Sequence, residues 1–292
     1  MIINPEKLKP EVSVIIPTFN RADKIIGAVE SVLEQSFLNF ECIVIDDGSS
    51  DNTLEKLGEL HDSRLKIISQ KNKGVSSARN NAIAVSNAGV IALLDSDDEW
   101  LPSKLEKQLI FMEETGLHIS QTDEIWIRNG KRVNQCKKHE KSEGLFFERS
   151  LVMCMVSPSC VMFTRKFWDS VGPFDENMVA CEDYDLWLRG FEYPVGLLRE
   201  RLTVKHGGRE DQLSNNVSCL DLYRMYSIAK LVRSGKLDGK DRALALNELQ
   251  RKSGYFAGGC RKRGKLDQAD KIEQLVDSVI KGLDINPISF IE

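Results

Sequence analysis

The chain has 292 residues, 41% of them hydrophobic and 29% charged, which is the balance of an ordinary folded protein and excludes a chain disordered throughout. A formal net charge of -4 and a pI near 5.8 exclude a protein that grips nucleic acid over a broad basic surface. The seven cysteines are scattered, odd in number and never spaced C-x-x-C, so they suggest neither a disulfide framework nor a zinc site, and a reducing cytosol is their natural setting.

The amino terminus, Met1-Ile2-Ile3-Asn4-Pro5-Glu6, lacks the basic start and apolar core of a secretory signal, and no apolar run approaches the ~20 residues that span a bilayer. From Val12 to Asp98, short β-branched runs alternate with helical patterns. Val12 to Ile16 reads as a buried strand, Ile25, Ile26, Val29, Val32 and Leu33 as one helix face, and Glu41 to Ile45 as the next strand. A helix opening near Asp51, a strand at Leu65 to Ile68, a helix from Ser76 to Val85 and a strand at Val90 to Leu94 continue the rhythm. That order predicts a mostly parallel sheet flanked by helices.

Pro102-Ser103-x-x-Glu106 reads as a capping box opening a helix that buries Leu105, Leu109 and Met112. Ile119 to Val133 reads as strand and turn, with Asn129-Gly130 as a hairpin signal, and Lys131 to Lys141 as an exposed lysine-rich loop. A short helix and a strand follow between Leu151 and Phe163, then a turn at Val171 to Asp175, then a helix start at Cys181-Glu182-Asp183. From Val217 onward the pattern is helical, and Tyr255 to Ala269 resembles half of a tetratricopeptide-like helix pair.

The chemistry-bearing residues follow the strands. Pro17-Thr18-Phe19-Asn20-Arg21 follows the first, Asp46-Asp47-Gly48-Ser49-Ser50-Asp51 the second, and Lys73-Gly74-Val75-Ser76-Ser77-Ala78-Arg79-Asn80 the third. Leu94-Asp95-Ser96-Asp97-Asp98 ends the fourth, so hard oxygen ligands gather at the carboxyl edge, where open α/β sheets bind ligands.

These four motifs in this order resemble the family 2 glycosyltransferases of the GT-A fold, closely over the first hundred residues and more loosely to about residue 215. The resemblance implies a GT-A domain over 1–215, divided into a nucleotide-sugar half (about 10–105) and an acceptor half (106–215), with a helical extension over 216–292. It implies that Pro17, Thr18 and Asp47 contact the base and ribose, with Asn20, Arg21, Ser49, Lys73 and Ser96 around them, and that Arg79 meets the diphosphate. Asp95 and Asp97 match the family's D-x-D, which holds Mn²⁺ or Mg²⁺; Asp98, directly next to them, is a further expected metal ligand, and His206, in Lys205-His206-Gly207-Gly208, resembles the histidine that completes the metal site in many members. Glu182-Asp183 resembles the family's E-D motif, which makes Asp183 the general base of an inverting transfer, with Glu182, Asp185 and Trp187 on the acceptor side.

The Q-x-x-R-W motif of the processive synthases is absent, which points to one sugar added per encounter. The expected partners are a nucleotide-diphospho-sugar, favouring a UDP-sugar, and a glycan or lipid-linked acceptor. The expected location is the cytoplasm, with Arg261-Lys262-Arg263-Gly264-Lys265 as a candidate peripheral contact to the inner membrane face. Two other readings stand beside this one. A catalytically degenerate nucleotide-sugar-binding module would not need both a metal site and a base, and a sugar-nucleotide pyrophosphorylase would carry a glycine-rich loop where Pro17-Thr18-Phe19-Asn20 stands.

Overall fold

The computed structural model describes residues 9–208 and 219–291, with only the backbone of Lys138. The chain divides into two compact units: Met1–Leu145, Val156–Glu176 and Glu192–Arg209 form the first, and Phe146–Met155, Asn177–Phe191 and Glu210–Glu292 the second.

The first unit is built on a mixed sheet. Its strands are β1 (Val12–Thr18), β2 (Phe40–Asp46), β3 (Leu65–Ser69), β4 (Val90–Leu93), β5 (Glu99–Trp100), β6 (Ile119–Arg128), β7 (Lys131–Val133), β8 (Val161–Thr164) and β9 (Val195–Gly207), in the order β3-β2-β1-β4-β8-β6-β9-β5, with β7 paired to β6. β1 to β4 are mutually parallel, β8 runs antiparallel to both β4 and β6, and β9 is parallel to β6. β1 and β2 are buried along their whole length, as strands covered on both faces must be.

Helices α1 (Ile25–Leu33), α2 (Thr53–Gly58), α3 (Val75–Val85) and α4 (Lys104–Thr115) belong to this unit. α1 buries Ile25, Ala28, Val29 and Val32 in a core with Val12, Val14, Ile16, Val44 and Leu94. The βαβ rhythm expected from Val12 to Leu94 is the rhythm observed, and Asn129 and Gly130, at φ 49° and 71°, turn β6 into β7.

Two local expectations are corrected. Ser103 makes no side-chain capping bond and Glu106 instead accepts from Ser36, because Gln35, just past the end of α1, takes the capping role: its Oε1 accepts from the Leu105 amide at 2.9 Å. The segment from Lys131 to Lys141 is not wholly an exposed loop. Its first residues form β7, and Lys141 is buried with its ammonium 3.1 Å from the Glu124 carboxylate.

The second unit contains α5 (Phe147–Val152), α7 (Glu182–Arg189), α8 (Leu220–Arg233), α9 (Gly239–Lys262) and α10 (Leu266–Ile280); α6 (Arg165–Val171) lies in the first. Its core joins Leu151, Tyr184 and Leu188 to Met225, Ile228, Leu249, Ile272 and Val276. Among the described residues no helix is long and apolar enough to cross a membrane.

Two buried charges carry stability consequences. Glu41 accepts from the Ser13 hydroxyl (2.7 Å), the Asn87 amide (2.6 Å) and the Lys66 ammonium (2.6 Å), tying β1, β2, β3 and the turn before β4 together. Burial works to raise its pKa, but Lys66 and the other donors outweigh burial and hold it below the ordinary glutamate value. Its contribution is therefore complete above that ordinary value and lost as pH falls through the folded one. Glu41→Ala is expected to cost about 2–3 kcal/mol and to flatten the acid limb of stability against pH, read by urea unfolding.

Lys104 lies fully buried, with Nζ 3.7 Å from the Trp100 ring centroid and no hydrogen-bond partner among the described residues. Burial pushes it down to about 7. The unfolded chain then holds more protons, so this group makes stability rise as pH climbs from about 7 towards the ordinary lysine value. Lys104→Met should remove that slope and raise the stability at pH 7 by about 1–4 kcal/mol, checked by denaturant midpoints across that range.

Candidate active site

The carboxyl ends of β1, β2 and β4 meet because these strands are adjacent and parallel in the order β2-β1-β4. Side-chain bonds fasten the loops that follow them. Asn20, at φ 51°, gives its amide to Ser49 Oγ at 2.8 Å, and its Oδ1 accepts from the Ser50 amide at 2.8 Å. The Arg21 amide bonds Thr53 Oγ1 and the Ala22 amide Asp51 Oδ2. Pro17 and Thr18 close β1, where Thr18 Oγ1 is buried with no protein partner among the described residues. A buried hydroxyl left without a partner is costly, and a ligand group would relieve it.

Asp47 is buried, and its carboxylate collects the amides of Lys73 (2.9 Å) and Gly74 (2.8 Å) and the Gln70 side-chain amide (2.7 Å). It therefore shapes the loop that leads into α3. Gly48 permits this approach: φ is +79°, and a Cβ there would lie 2.9 Å from the Asn72 nitrogen. From α3, Arg79 reaches Asp95 Oδ1 at 2.8 Å while nearly buried, with its guanidinium 5.3 Å from the Phe174 ring centroid.

Asp95 has 30% of its side chain exposed, whereas Ser96 and Asp98 are buried. Asp98 accepts the Ser159 hydroxyl on Oδ2 (2.6 Å) and the His206 amide on Oδ1 (3.1 Å). Burial foremost pushes its pKa up to about 7, with Asp95 and Asp97 adding to the rise and Lys205 opposing it. Lys205 is itself raised: burial works against its charge, but Asp98, Glu124 and Asp95 outweigh burial. The His206 ring sits on β9 with Nε2 3.3 Å from Glu99 Oε1.

Among the described residues no three His, Cys, Asp or Glu side chains stand together as a ready metal-binding group. The donor chemistry nevertheless fits a hard divalent cation. Asp95, Asp97 and Asp98 supply only oxygens, and burial, with Asp95 and Asp97 adding to it, raises Asp98 in spite of Lys205. Residues 209–214, which follow His206 in the sequence, lie outside the described residues.

In the helical unit, Cys181 at φ 60° precedes α7, whose first turn carries Glu182, Asp183 and Asp185. Asp183 Oδ1 accepts from the Tyr184 amide (2.7 Å) and Oδ2 from Cys154 Sγ (3.2 Å). Asp185 is 1% exposed and held between Arg189 (2.8 Å) and Lys230 (2.9 Å), joining α7 to α8. Glu182 and Trp187 are buried as well. Ser159 and Lys205 were missed at the level of sequence. Ser159 sits among apolar residues, and the one signal for Lys205 is a lysine inside a strand run next to a candidate histidine.

Residues 13–171 match the model of the family described as Glycosyl transferase family 2. WfgD of Escherichia coli, a UDP-Glc:alpha-D-GlcNAc-diphosphoundecaprenol beta-1,3-glucosyltransferase, is 35% identical over 178 residues, 61% of this chain and 68% of that protein. TuaG of Bacillus subtilis, a putative teichuronic acid biosynthesis glycosyltransferase, is 43% identical over 184 residues, 62% of this chain and 71% of that protein. Against the chondroitin synthase of E. coli the match is 33% over 186 residues, yet it spans only 27% of that longer protein. The crystal structure of S. aureus TarS 1–349 in complex with UDP-GlcNAc superposes with a TM-score of 0.72 at 18% identity, covering 96% of this chain and 89% of that one. The sheet order and the superposition on TarS define the GT-A fold. The chain belongs to glycosyltransferase family 2.

The close approach at Gly48 yields a test. Gly48→Ala should cost roughly 1–2 kcal/mol for the left-handed backbone alone. It should also loosen the loop held by Asp47, seen as faster hydrogen exchange at the Lys73 and Gly74 amides.

Proposed function

We propose that this chain transfers a single sugar from a uridine diphosphate sugar to an acceptor hydroxyl, with inversion at the anomeric carbon, in the assembly of a cell-surface glycan. The observation that carries the reading is the cluster at the strand ends, where Arg79, three aspartates and a Thr18 hydroxyl with no partner among the described residues share one edge of the sheet. The names of WfgD and TuaG support a surface-glycan role, and the UDP-GlcNAc bound to TarS supports uridine.

In this reading Pro17, Thr18 and Asp47 receive the base and ribose, flanked by Asn20, Arg21, Ser49, Lys73 and Ser96. Arg79 offsets the charge that the departing diphosphate develops, a guanidinium being suited to phosphate oxygens. Asp95 and Asp97, backed by Asp98 and His206, would hold Mg²⁺ or Mn²⁺. When bound, that cation supplies further positive charge against the leaving group.

Asp183 takes the proton of the acceptor hydroxyl, a role that contributes on the order of 10²–10⁴ in rate. A single displacement with a base on the acceptor is what makes the transfer inverting. Glu182 lies beside it on the acceptor side of the chemistry. The ion-paired Asp185 and the buried Trp187 support the helix that carries it.

The acceptor we favour is lipid-linked, met at the cytoplasmic face of the membrane. Arg261 is engaged with Asp270 and Glu273, which leaves Lys262, Arg263 and Lys265 as the exposed charges for an anionic surface.

Calorimetric titration with UDP, GDP and dTDP, each with and without Mn²⁺, tests the donor site. The expected result is manganese-dependent binding of UDP alone, and binding of none of the three would overturn the assignment. Asp183→Asn should lower kcat by about 10²–10⁴ while leaving nucleotide affinity unchanged.

A further inference from the structure

Helix α5 ends at Val152, and the last carbonyls of a helix need partners from elsewhere. Here two of them have side-chain donors from other helices. The Tyr184 hydroxyl of α7 donates to the Leu151 carbonyl at 2.7 Å, and the Lys252 ammonium of α9 donates to the Val152 carbonyl at 3.1 Å. Two residues further on, Cys154 Sγ donates to Asp183 Oδ2 at 3.2 Å.

Lys252 is an unusual residue for this place. Its side chain is only 5% exposed in the middle of a long helix, and it also meets Asp221 Oδ1 of α8 and Glu248 Oε1 of α9, each at 3.2 Å. A buried ammonium is expensive unless it is well bonded, and an apolar residue of similar volume would pack a helix core at lower cost. What the lysine adds is a tie between α8, α9 and the end of α5.

We infer that Cys154 is a positioning residue for Asp183 and that Lys252 holds the Cys154 segment in place, so that the C-terminal helices clasp the partner of the proposed base. The inference rests on Asp183 being that base. A carboxylate on one short side chain can swing about two bonds, whereas catalysis needs its orientation held within roughly 10–20°. Oδ1 is fixed by the Tyr184 amide and Oδ2 by the thiol, which sets the plane of the carboxylate. Each oxygen can accept more than one bond, so a lone pair stays available for the proton of a hydroxyl. The thiol is a weak donor, so it orients the carboxylate without competing strongly for it.

The clasp is tested with Cys154→Ala, Cys154→Ser, Lys252→Met and Lys252→Arg in the full chain, alongside Asp183→Ala and Asp183→Asn. Turnover is read as UDP release from UDP-glucose and UDP-GlcNAc with water as the acceptor. The thiol is read directly by its S–H infrared stretch, assigned from the band lost in Cys154→Ser. Cys154→Ala and Lys252→Met should lower kcat about tenfold with the KM for the sugar nucleotide unchanged, and Cys154→Ser and Lys252→Arg should stay within about threefold of the parent. Adding Cys154→Ala to Asp183→Asn should cause no further loss. The S–H band should move to the higher frequency of an unbonded thiol in Asp183→Ala and, in part, in Lys252→Met.

A band unmoved by Asp183→Ala overturns the inference whether or not either sugar nucleotide is turned over. So does a Cys154→Ala enzyme with full kcat when Asp183→Asn has lost it. Full turnover by Asp183→Asn would instead overturn the assignment of the base, an outcome the infrared measurement keeps separate.

Discussion

Three carboxylates within four residues, Asp95, Asp97 and Asp98, stand at the end of a buried strand, and the sheet unit has to hold them there against their own repulsion. Arg79 from α3 meets Asp95, Lys205 from β9 faces Asp98, and Ser159 bridges the pair by accepting the Asp95 amide while donating to Asp98. Each partner comes from a different part of the chain, so the cluster depends on α3, the turn before β8 and β9 being in place around β4. Burial foremost, with Asp95 and Asp97 adding to it, still pushes Asp98 up to about 7.

The same logic shapes the rim. The Asp47 carboxylate is spent on the Lys73 and Gly74 amides and the Gln70 side chain, which fixes the entry to α3 and so the place from which Arg79 reaches inward. The loop after β1 is fastened to the loop after β2 by Asn20, Ser49, Asp51 and Thr53. Several of the residues that the motifs single out therefore act first on the backbone. A rigid rim lets a ligand bind without ordering the loops on arrival, which would otherwise subtract from its affinity.

Much of this was legible in the sequence because the first hundred residues carry short-range signals. β-branched runs give the buried parallel strands, and each strand end carries its own motif. The failures have a common physical origin in partners supplied from afar. Ser103 and Glu106 have the spacing of a capping box, yet Gln35, about seventy residues earlier, reaches the Leu105 amide instead. The lysine-rich stretch reads as solvated, but Lys141 at its end is buried against Glu124. Segments 146–155 and 177–191 group with the C-terminal helices, and no local period announces that.

Lysine was the residue type hardest to read, for a reason that composition cannot reveal. Its long stem buries as readily as a methionine, and whether the ammonium at its tip is tolerated depends on atoms that the local sequence does not specify. Lys104 is left beside an indole ring and loses its proton easily, Lys141 is neutralised by one carboxylate, and Lys252 is shared among two carboxylates and a helix-end carbonyl. The first of these weakens the fold, and the second rests on a carboxylate that also takes bonds from Cys160, Trp126 and Gln135. The third spends its bonds on joining separate helices, which makes Lys252 the buried lysine whose loss should be felt at Asp183 as well as in stability.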